Sequence, residues 1–373
     1  MTTTLSERIS QSAFDGSRLR VVLLLDLHDG AQKQFLEAYE DMRNQVASIP
    51  GHISDQLCQS IENPSQWLIT SEWESAPPFL AWVNSEEHVA TVQPLHSCVR
   101  DTRSLRFSVL RETGRGFEAV PDPVRGSLQS APRLGDGVVR HALTFTVKPG
   151  TEDIVAKLLA DYESPRSRVD DHTRLRRTSL FMHGNRVVRA VEVEGDLMAA
   201  LRHVSRQPEI RAVEEAINPY LEQDRDLSDP DSARMFFTRA ALPTVHHVSA
   251  GRHAPESLHR HAVFYQAKEG CGMALARLLA GHDEEAADDT GSPIDSSTIF
   301  QRDDVVVRLL EASGPLDAQP AQALGIHGPD KAARLARLLD GEANAVPATD
   351  QDAARFLARS EMRLITDRRA ADS

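Results

Sequence analysis

Aromatic side chains that can stack on a flat ligand are concentrated in the first quarter of the chain. All three tryptophans, Trp67, Trp73 and Trp82, lie there, not far from Phe35 and Tyr39. The even spacing of Trp67 and Trp73 places both on one face of a strand, whereas Trp82 belongs to the following helix. Aromatic rings favour stacked contacts with flat ring systems, so this face predicts a binding wall for an aromatic ligand. The alternative is an ordinary core, since large aromatics are commonly buried for packing alone.

The same stretch contains polar side chains that could handle a proton. His52, His88 and His96 carry imidazoles that titrate near neutral pH. His88 is the preferred base, because Ser85-Glu86-Glu87-His88 is predicted to end the helix that overhangs the open sheet face. Asn63 lies in a predicted turn and could hold a phenolic oxygen, although asparagine is also common in turns for structural reasons. A lone histidine is commonly structural or solvated, so both interpretations stay open.

Sequence motifs for standard cofactors are missing from the chain. It contains no GxGxxG, Walker, HExxH, GxSxG or CxxC pattern, which removes flavin, nicotinamide, nucleotide, zinc-protease and serine-hydrolase interpretations. A group of histidines in the last third matches no zinc-ligand spacing. These are His246, His247, His253, His259 and His261. We therefore expect neither a metal nor an organic cofactor, which limits oxidative chemistry to substrates that supply their own electrons.

Composition and charge exclude several classes of partner. The 373 residues include 42 lysines and arginines against 55 aspartates and glutamates, and the net charge of −13 argues against nucleic acid and anionic membranes. No apolar run reaches the roughly 20 residues needed to cross a bilayer. The start of the chain lacks the pattern of a secretory signal. We expect a cytoplasmic protein whose cysteines, Cys58, Cys98 and Cys271, are buried free thiols.

Self-comparison reveals a repeat with a period of 120 residues. RHALTFTVKPGTEDIVAKLLA at 140–160 and RHAVFYQAKEGCGMALARLLA at 260–280 are identical at 9 of 21 positions without a gap. The frame extends to RVVLLLDLHDGAQKQFLEAYE at 20–40, where Arg20 and Gly30 keep their places. Each copy starts with a strand-type alternation, turns at a glycine and continues with apolar residues at helical spacing. Three related units are therefore predicted.

The order of elements in each copy is predicted to be β-α-β-β-α-β. Hairpins are predicted at 178–192, at 297–311 and, in the first copy, at 52–73. The closing strands are predicted at 104–111, 234–240 and 362–367. This is the ferredoxin-like arrangement, in which two helices cover one face of a four-stranded antiparallel sheet. The uncovered face must line a ligand pocket or pack on a second sheet.

We therefore predict an α+β fold of three tandem ferredoxin-like (βαββαβ) units with the sheet pairing of a dimeric α-β barrel. The predicted domains are residues 18–112, 138–242 and 258–369. Linkers are expected at 114–137, 224–230 and 243–255, and the acidic stretch 282–293 is expected to be an inserted loop. Two copies are expected to pair within the chain, which leaves the other to pair with a second chain as a homodimer.

Two stretches resemble known families. Residues 51–88, GHISDQLCQSIENPSQWLITSEWESAPPFLAWVNSEEH, resemble the antibiotic biosynthesis monooxygenase (ABM) superfamily in their hairpin, central tryptophan, following helix and Ser-x-x-His ending. RHALTFTVKPG and RHAVFYQAKEG resemble the SchA/CurD-like domain proteins of spore-pigment and aromatic polyketide clusters. Together the resemblances cover nearly the whole chain. Folds of this kind host oxygenases, haem-degrading enzymes and isomerases, so they do not decide the reaction.

The resemblance implies a tailoring protein of aromatic polyketide, antibiotic or spore-pigment biosynthesis. The implied activity is that of an oxidoreductase, a cofactor-independent monooxygenase that oxidises a polycyclic phenol or anthrone-type intermediate with O2. In anthrone oxygenases of the superfamily an Asn and a Trp four residues later line the pocket, and Asn63 and Trp67 match this pattern. With His88 as the base, these three are the implied catalytic residues. The implied substrate-binding residues are Trp73, Trp82, Tyr39, Phe35 and His52.

Other functions on the same scaffold stay open. A non-catalytic subunit could bind the polyketide or organise a complex with other polyketide synthase tailoring enzymes. A polyketide cyclase would need an acid and a base but no oxygen. Haem degradation would need an axial histidine, and no residue of the sequence stands out for that role.

Overall fold

The chain divides into two compact units. The computed structural model describes residues 8–109, 135–253, 257–326, 329–340 and 349–370. The N-terminal unit spans residues 13–131, and the C-terminal unit combines residues 1–12 with 132–373. In the described ranges, no helix is both long and apolar enough to cross a membrane.

The N-terminal unit is a four-stranded antiparallel sheet with helices. Strand β1 (Ile9–Ser12) belongs to the C-terminal unit. The elements of the N-terminal unit are β2 (Leu19–Leu27), α1 (Gln32–Ala47), β3 (His52–Gln59), β4 (Gln66–Trp73), α2 (Ala76–Val83), α3 (Glu86–His96) and β5 (Val99–Ser108). The strands are ordered β3-β4-β2-β5, and each neighbouring pair is antiparallel. This is the ferredoxin-like order predicted for the first copy.

Apolar patterning determines which sheet face the helices cover. In β2, Val21, Leu25 and Leu27 are buried at alternate positions, and Leu25 lies beside Trp67 of β4. Helix α1 buries an apolar stripe at helical spacing. The stripe consists of Phe35, Tyr39, Met42 and Val46. Because Phe35 contacts Trp67, α1 covers the sheet face that carries the odd-numbered residues of β2 and β4.

The C-terminal unit contains the second and third copies of the repeat. Its remaining elements are β6 (Val138–Thr146), α4 (Glu152–Asp161), β7 (Arg174–His183), β8 (Arg186–Glu194), α5 (Leu197–Ser205), α6 (Pro208–Ile217), α7 (Pro230–Ala240), β9 (Ala241–Ser249), β10 (His259–Gln266), α8 (Gly272–Asp288), β11 (Ile294–Arg302), β12 (Val305–Ala312), α9 (Pro320–Ala323), α10 (Pro329–Leu338), α11 (Asp350–Ser360) and β13 (Arg363–Arg369), with short 3-10 helices at Asn218–Tyr220 and Leu316–Ala318.

The two copies share one sheet. Its path is β10-β12-β11-β9-β6-β8-β7-β13, and β1 pairs with β9. The closing strand of each copy pairs with the other copy, since β9 pairs with β11 and β13 pairs with β7. An isolated bridge between Val263 and Glu361 joins the two ends of the path, so the sheet forms a nearly closed barrel. The predicted fold class is confirmed, whereas the count of three units and the predicted domain limits stay predictions.

Side chains from both copies meet inside the barrel. Arg177 pairs with Glu311 and Asp367, and Arg260 pairs with Glu192 and Glu311. Both arginines therefore link one copy to the other. An apolar cluster consists of Ala142, Phe181, Val188, Ala190, Leu242, Ala262, Phe300, Val307, Leu309 and Met362.

The predicted hairpins are all present, but the closing strand of the second copy was assigned wrongly. Residues 234–240 end helix α7, and the strand is β9, which occupies most of the predicted linker 243–255. The helix forms because Phe236 and Ala240, four residues apart, are buried in the core with Leu143.

The α8 segment, the cysteines and the 114–137 stretch have different outcomes. The stretch 282–293 is not an inserted loop throughout, because α8 continues to Asp288. Cys58 is exposed and Cys271 is half-buried, so the prediction of buried thiols holds for Cys98 alone. The predicted linker 114–137 lies outside the described residues except for its last three positions.

Gly272 marks a close contact between helix α8 and the β11–β12 turn. A Cβ at Gly272 would lie 1.8 Å from the carbonyl oxygen of Asp303. Gly272→Ala should push this turn away and lower the free energy of unfolding by about 2 kcal/mol in urea denaturation. Gly314→Ala is the matched control, since a Cβ there meets nothing within 4 Å. Equal stabilities of the two variants would contradict the close contact.

Candidate functional site

The sheet face that carries the tryptophans is covered by helices. The prediction that this face is left open is therefore wrong, because the apolar residues of α1 and α2 pack on this same face. The Trp67 ring lies 5.5 Å from the Phe35 ring of α1, measured between centroids. The Trp67 Nε1 donates a hydrogen bond to the carbonyl of Pro64 at 3.0 Å.

Trp73 is the centre of an aromatic cluster between sheet and helix. Its side chain is fully buried, and its Nε1 donates to the Ser71 hydroxyl at 3.0 Å. The ring stacks on Trp82 at 5.5 Å and meets Phe79 at 5.4 Å and His52 at 5.1 Å. The structure thus brings three of the predicted site residues, Trp73, Trp82 and His52, into direct contact.

His88 extends this cluster on its partly exposed side. Its imidazole meets the Trp82 ring edge-on at 4.3 Å between centroids. His88 lies in the first turn of α3, where its backbone N–H donates to the Ser85 hydroxyl at 3.1 Å. The prediction that Ser-x-x-His ends a helix is therefore wrong, because Ser85 is the N-terminal cap of the next helix.

The environment of His88 keeps its imidazole neutral. Burial, supported by the positive charge of nearby His96 and Arg106, lowers the pKa of His88 to about 4 from the ordinary 6.5. The Nδ1 atom is enclosed and has no hydrogen-bond partner among the described residues. The unused nitrogen of this neutral imidazole is a proton acceptor, and the lowered pKa makes it a weaker base than an ordinary histidine.

The same pKa shift predicts an acid-sensitive fold. The unfolded chain protonates His88 below pH 6.5, but the folded chain does so only below about pH 4, so stability is lost as pH falls through this window. Chemical denaturation at pH 7 and pH 5 should show a His88-dependent loss of at most about 2 kcal/mol. In His88→Gln the loss between these pH values should be smaller by that amount. An unchanged pH dependence would show that His88 titrates normally.

A polar network lies beside the aromatic cluster. The Tyr39 hydroxyl donates to Asp55 Oδ2 at 2.6 Å, and His52 Nε2 lies 3.5 Å from Asp55 Oδ1. Burial and the Asp55 carboxylate raise the pKa of Tyr39, which stays a neutral donor. Asp55 lies opposite Ser71 of β4 in the sheet register. Ser71 is the residue that accepts the hydrogen bond from Trp73. Sequence reasoning missed Asp55 and Ser71; for Ser71, its alternate spacing relative to Trp73 on β4 was the available signal.

Asn63 is separate from the clusters around Trp73. It lies in the exposed turn between β3 and β4, where its Oδ1 accepts hydrogen bonds from the Ser65 backbone N–H at 3.1 Å and the Ser65 hydroxyl at 2.9 Å. This is the geometry of an asparagine-stabilised turn. Trp67 is hydrogen-bonded to the same turn through the Pro64 carbonyl. A role for Asn63 at a pocket rim stays a prediction.

The histidine group of the last third is not assembled around a metal. His253 pairs with Asp295, and His261 pairs with Glu361. Across the described ranges, no three side chains of His, Cys, Asp or Glu converge in a way that could hold an ion.

Comparison with known proteins finds two matching family models and several similar relatives. The antibiotic biosynthesis monooxygenase model matches residues 18–94, and the SchA/CurD like domain model matches residues 138–250. Polyketide synthase CurD of Streptomyces cyaneus is 62% identical, covering 99% of both chains. A 42.8 kDa protein in the whiE locus of Streptomyces coelicolor is 60% identical over 98% of this chain and 91% of its own length. Protein SchA of Streptomyces halstedii is 57% identical over 99% and 98%.

The chain thus combines a ferredoxin-like unit, most of which the antibiotic biosynthesis monooxygenase model matches, with a unit whose nearly closed sheet the SchA/CurD like domain model matches in part. It belongs to the SchA/CurD-like family. The family resemblance found in the sequence is confirmed.

Proposed function

We propose that the chain is a tailoring protein of aromatic polyketide biosynthesis and acts as a cofactor-independent monooxygenase on a polycyclic phenol of the anthrone type. The names of its relatives and the ABM match support the biosynthetic role. The observation that carries the reaction is His88, a neutral imidazole with an unused Nδ1 at the edge of the Trp73–Trp82 stack.

The proposed reaction starts with proton transfer. His88 accepts a proton from the CH2 group of the anthrone, which leaves a delocalised carbanion. This carbanion passes one electron to O2, and the resulting radical pair combines to form a C–O bond. The resulting peroxide anion takes the proton back from His88, and the hydroperoxide then loses water, so that CH2 and O2 become C=O and H2O. The substrate supplies all electrons, and one oxygen atom enters the product.

Each side chain of the cluster has a distinct proposed task. The partly exposed Trp82 indole, supported from behind by the buried Trp73, holds the ring system and keeps bulk water away from the carbanion. Substrate enters from the side of Trp82 and His88, the partly exposed members of the cluster. Phe35 and Trp67 form the packed wall under α1, and Tyr39 fixes the Asp55 carboxylate, which in turn faces His52. Asn63 lies at the other end of β4, roughly 20 Å along the strand from Trp73, so its proposed task is to fix the turn beside Trp67 and not to touch a ring system held at Trp82.

Oxygen consumption separates this proposal from its alternatives. The chain, freed of metals with a chelator, is incubated with anthrone while oxygen uptake and product mass are recorded. The proposal predicts uptake of one O2 for each quinone formed. Tight binding without turnover would instead identify a polyketide-binding or complex-organising subunit. With a linear polyketide analogue, ring closure without oxygen uptake would identify a cyclase.

We also propose that a second copy of the chain covers the open face of the N-terminal sheet. Leu24 and Phe107 both project from this face and are 40% and 51% exposed, and a second sheet packed on them would remove this apolar surface from water. Leu24→Lys combined with Phe107→Glu should turn a dimer into a monomer in sedimentation velocity. Leu36→Lys, at an exposed leucine of α1 on the opposite side of the sheet, should leave the dimer intact. A monomeric unaltered chain would refute this proposal.

A further inference from the structure

The two seams of the C-terminal barrel occupy the same place in the repeat. At the first seam, β6 pairs with β9 through residues 141–143. At the second seam, β10 meets the β13 segment at the Val263–Glu361 bridge and through a hydrogen bond from the Met362 N–H to the Ala262 carbonyl, 2.8 Å long. Val263 lies 120 positions after the last of the three β6 residues, which is the period of the repeat. The two seams are therefore expected to be built alike.

Strand β1 completes the first seam. Beyond residues 241–243, β9 continues without β6, and β1 pairs with it there, from Ser12 opposite His246 to Ile9 opposite Ser249. The same part of β9 pairs with β11 on its other side. An extended segment from the start of the chain therefore fills the wedge that opens between β6 and β9.

The corresponding wedge at the second seam contains no strand in the described part of the chain. Residues 366–369 of β13 lie 120 positions after residues 246–249 of β9, and they pair with β7 as the β9 residues pair with β11. On the side of β10, no described strand pairs with them. A cavity of about 790 Å³ lies there, lined largely by residues 258–261 of the β10 segment and by residues 361–364 and Asp367 of the β13 segment. This cavity takes the place that β1 fills at the first seam.

The edge of β13 directs backbone groups into this wedge. Successive residues of an antiparallel strand present their N–H and C=O groups alternately to the two sides. The Ala370 N–H donates to the Arg176 carbonyl of β7 at 2.8 Å, so Asp367, three positions away, presents its backbone to the wedge. Asp367 is exposed as a residue although its side chain is only 22% exposed, which places the exposure at its backbone. Such an edge can pair with one more strand.

The charges of the two seams indicate what kind of segment each accepts. At the first seam, Arg8 directly precedes β1 and pairs with Glu284 and Asp288 of α8. The strand that fills this seam is thus accompanied by a charge opposite to that of its surroundings. At the second seam, β13 carries three arginines and one aspartate, and the Arg363 side chain is 54% exposed. This edge therefore favours an acidic strand.

We propose that the wedge between β10 and β13 binds an extended, acidic segment of a partner protein, which adds to β13 as an antiparallel strand. The segment pairs with the backbone of β13 as β1 pairs with that of β9. Its acidic side chains meet the arginines of β13, and its apolar side chains cover Leu364, which is 44% exposed. This docking surface belongs to the C-terminal unit and does not rest on the oxygenase reaction proposed for the N-terminal unit.

A fluorescent peptide of alternating sequence, TEVEIEVT, is a suitable probe, and TKVKIKVT is its matched comparison. Both are rich in β-branched residues, which favour strands, and they differ only in charge. Ala358 is exposed and lines the cavity, so Ala358→Trp obstructs the wedge. Ala212→Trp places the same side chain at an exposed position of α6. Fluorescence anisotropy measures binding, mass spectrometry follows hydrogen exchange in β13, and circular dichroism reports whether each variant folds.

The unaltered chain and Ala212→Trp should bind the acidic peptide with a Kd below about 1 mM, and Ala358→Trp should bind it about tenfold more weakly. The bound peptide should slow hydrogen exchange in the fragment that contains β13. The basic peptide should bind about tenfold more weakly than the acidic one. Because the net charge of −13 attracts the basic peptide to the chain as a whole, the opposite preference reports a local surface.

Absence of binding at about 1 mM acidic peptide would overturn the proposal. Equal affinity in a folded Ala358→Trp, equal binding of the two peptides, or binding without slower exchange in β13 would do the same. Slower exchange in β13 that grows with the concentration of the chain alone would assign the wedge to a second copy, and this too would overturn the proposal. Oxygen uptake with anthrone should stay unchanged in Ala358→Trp, so this proposal and the oxygenase proposal fail independently.

Discussion

His88→Gln should slow oxygen uptake with anthrone about a hundredfold or more. The imidazole contacts Trp82 edge-on, and its enclosed Nδ1 has no partner among the described residues, so a ring system that displaces the groups around this atom would meet an unused proton acceptor. Glutamine keeps the size and polarity of the side chain but cannot accept the proton. His28→Gln is the matched control, because His28 is exposed in a loop of the same unit. Full activity of His88→Gln would exclude His88 as the base.

The pH profile gives a second readout of the same group. The pKa of His88 is lowered to about 4, so the imidazole is neutral at every pH above that value. The kcat/KM of the unaltered chain should therefore stay level from pH 8 to pH 5 and fall only as the pH approaches 4. A histidine with the ordinary pKa of 6.5 would produce an inflection there instead. An inflection near pH 6.5 in the profile of the unaltered chain, together with its loss in His88→Gln, would contradict the buried, neutral state of the base.

Arg177→Met should have the largest effect on stability, about 3 kcal/mol or more in chemical denaturation. The Arg177 guanidinium is nearly buried and binds Glu311 of the other copy and Asp367 of the closing strand. Its Nε donates to Asp367 at 2.7 Å. Methionine fills the space but leaves both carboxylates short of a partner inside the barrel. The loss should appear as easier unfolding of the whole C-terminal unit, because this arginine links its two halves.

A surface ion pair provides the control for this variant. Arg168 and Asp171 are 75% and 85% exposed, so Arg168→Met should change stability by less than about 1 kcal/mol. Burial alone would raise the pKa of Glu311, but Arg260 and Arg177 hold it at about 2. Its contribution is present above the ordinary pKa of 4.5 and is lost as pH falls towards 2. The destabilisation by Arg177→Met should therefore shrink below pH 4.5; a constant difference would show that the Arg177–Glu311 pair contributes little.

Local patterns in the sequence were sufficient for the hairpins and for the repeat. Alternation and turn residues identified β7 with β8, and the 120-residue offset identified β11 with β12. The closing strand β9 was missed because its partners lie far away along the chain. Its first residues pair with β6 and its later residues pair with β11 of the other copy. Pro243 within it resembles a linker residue, and only the tertiary pairing makes this segment a strand.

The candidate site was predicted in its members but not in its orientation. Strand parity correctly placed Trp67 and Trp73 on one face. Parity does not reveal which face the helices cover, and this depends on where Phe35 and Phe79 project. The sequence prediction treats Ser85 to His88 as the end of one helix. Only the hydrogen bond from the His88 N–H to the Ser85 hydroxyl shows that Ser85 caps the start of the next helix. Asp55 was missed because a charged residue in a mostly exposed strand carries no local mark of its contact with Tyr39.

The source of the oxygen atom in the product tests the central claim most directly. The metal-free chain is supplied with anthrone under ¹⁸O2 in ordinary water, and the quinone is examined by mass spectrometry. We expect one ¹⁸O atom in each quinone formed, with the label and the rate unaffected by chelator and the rate reduced in His88→Gln. A quinone that forms no faster than without protein, or whose formation stops when metals are removed, would contradict catalysis by this side-chain cluster alone.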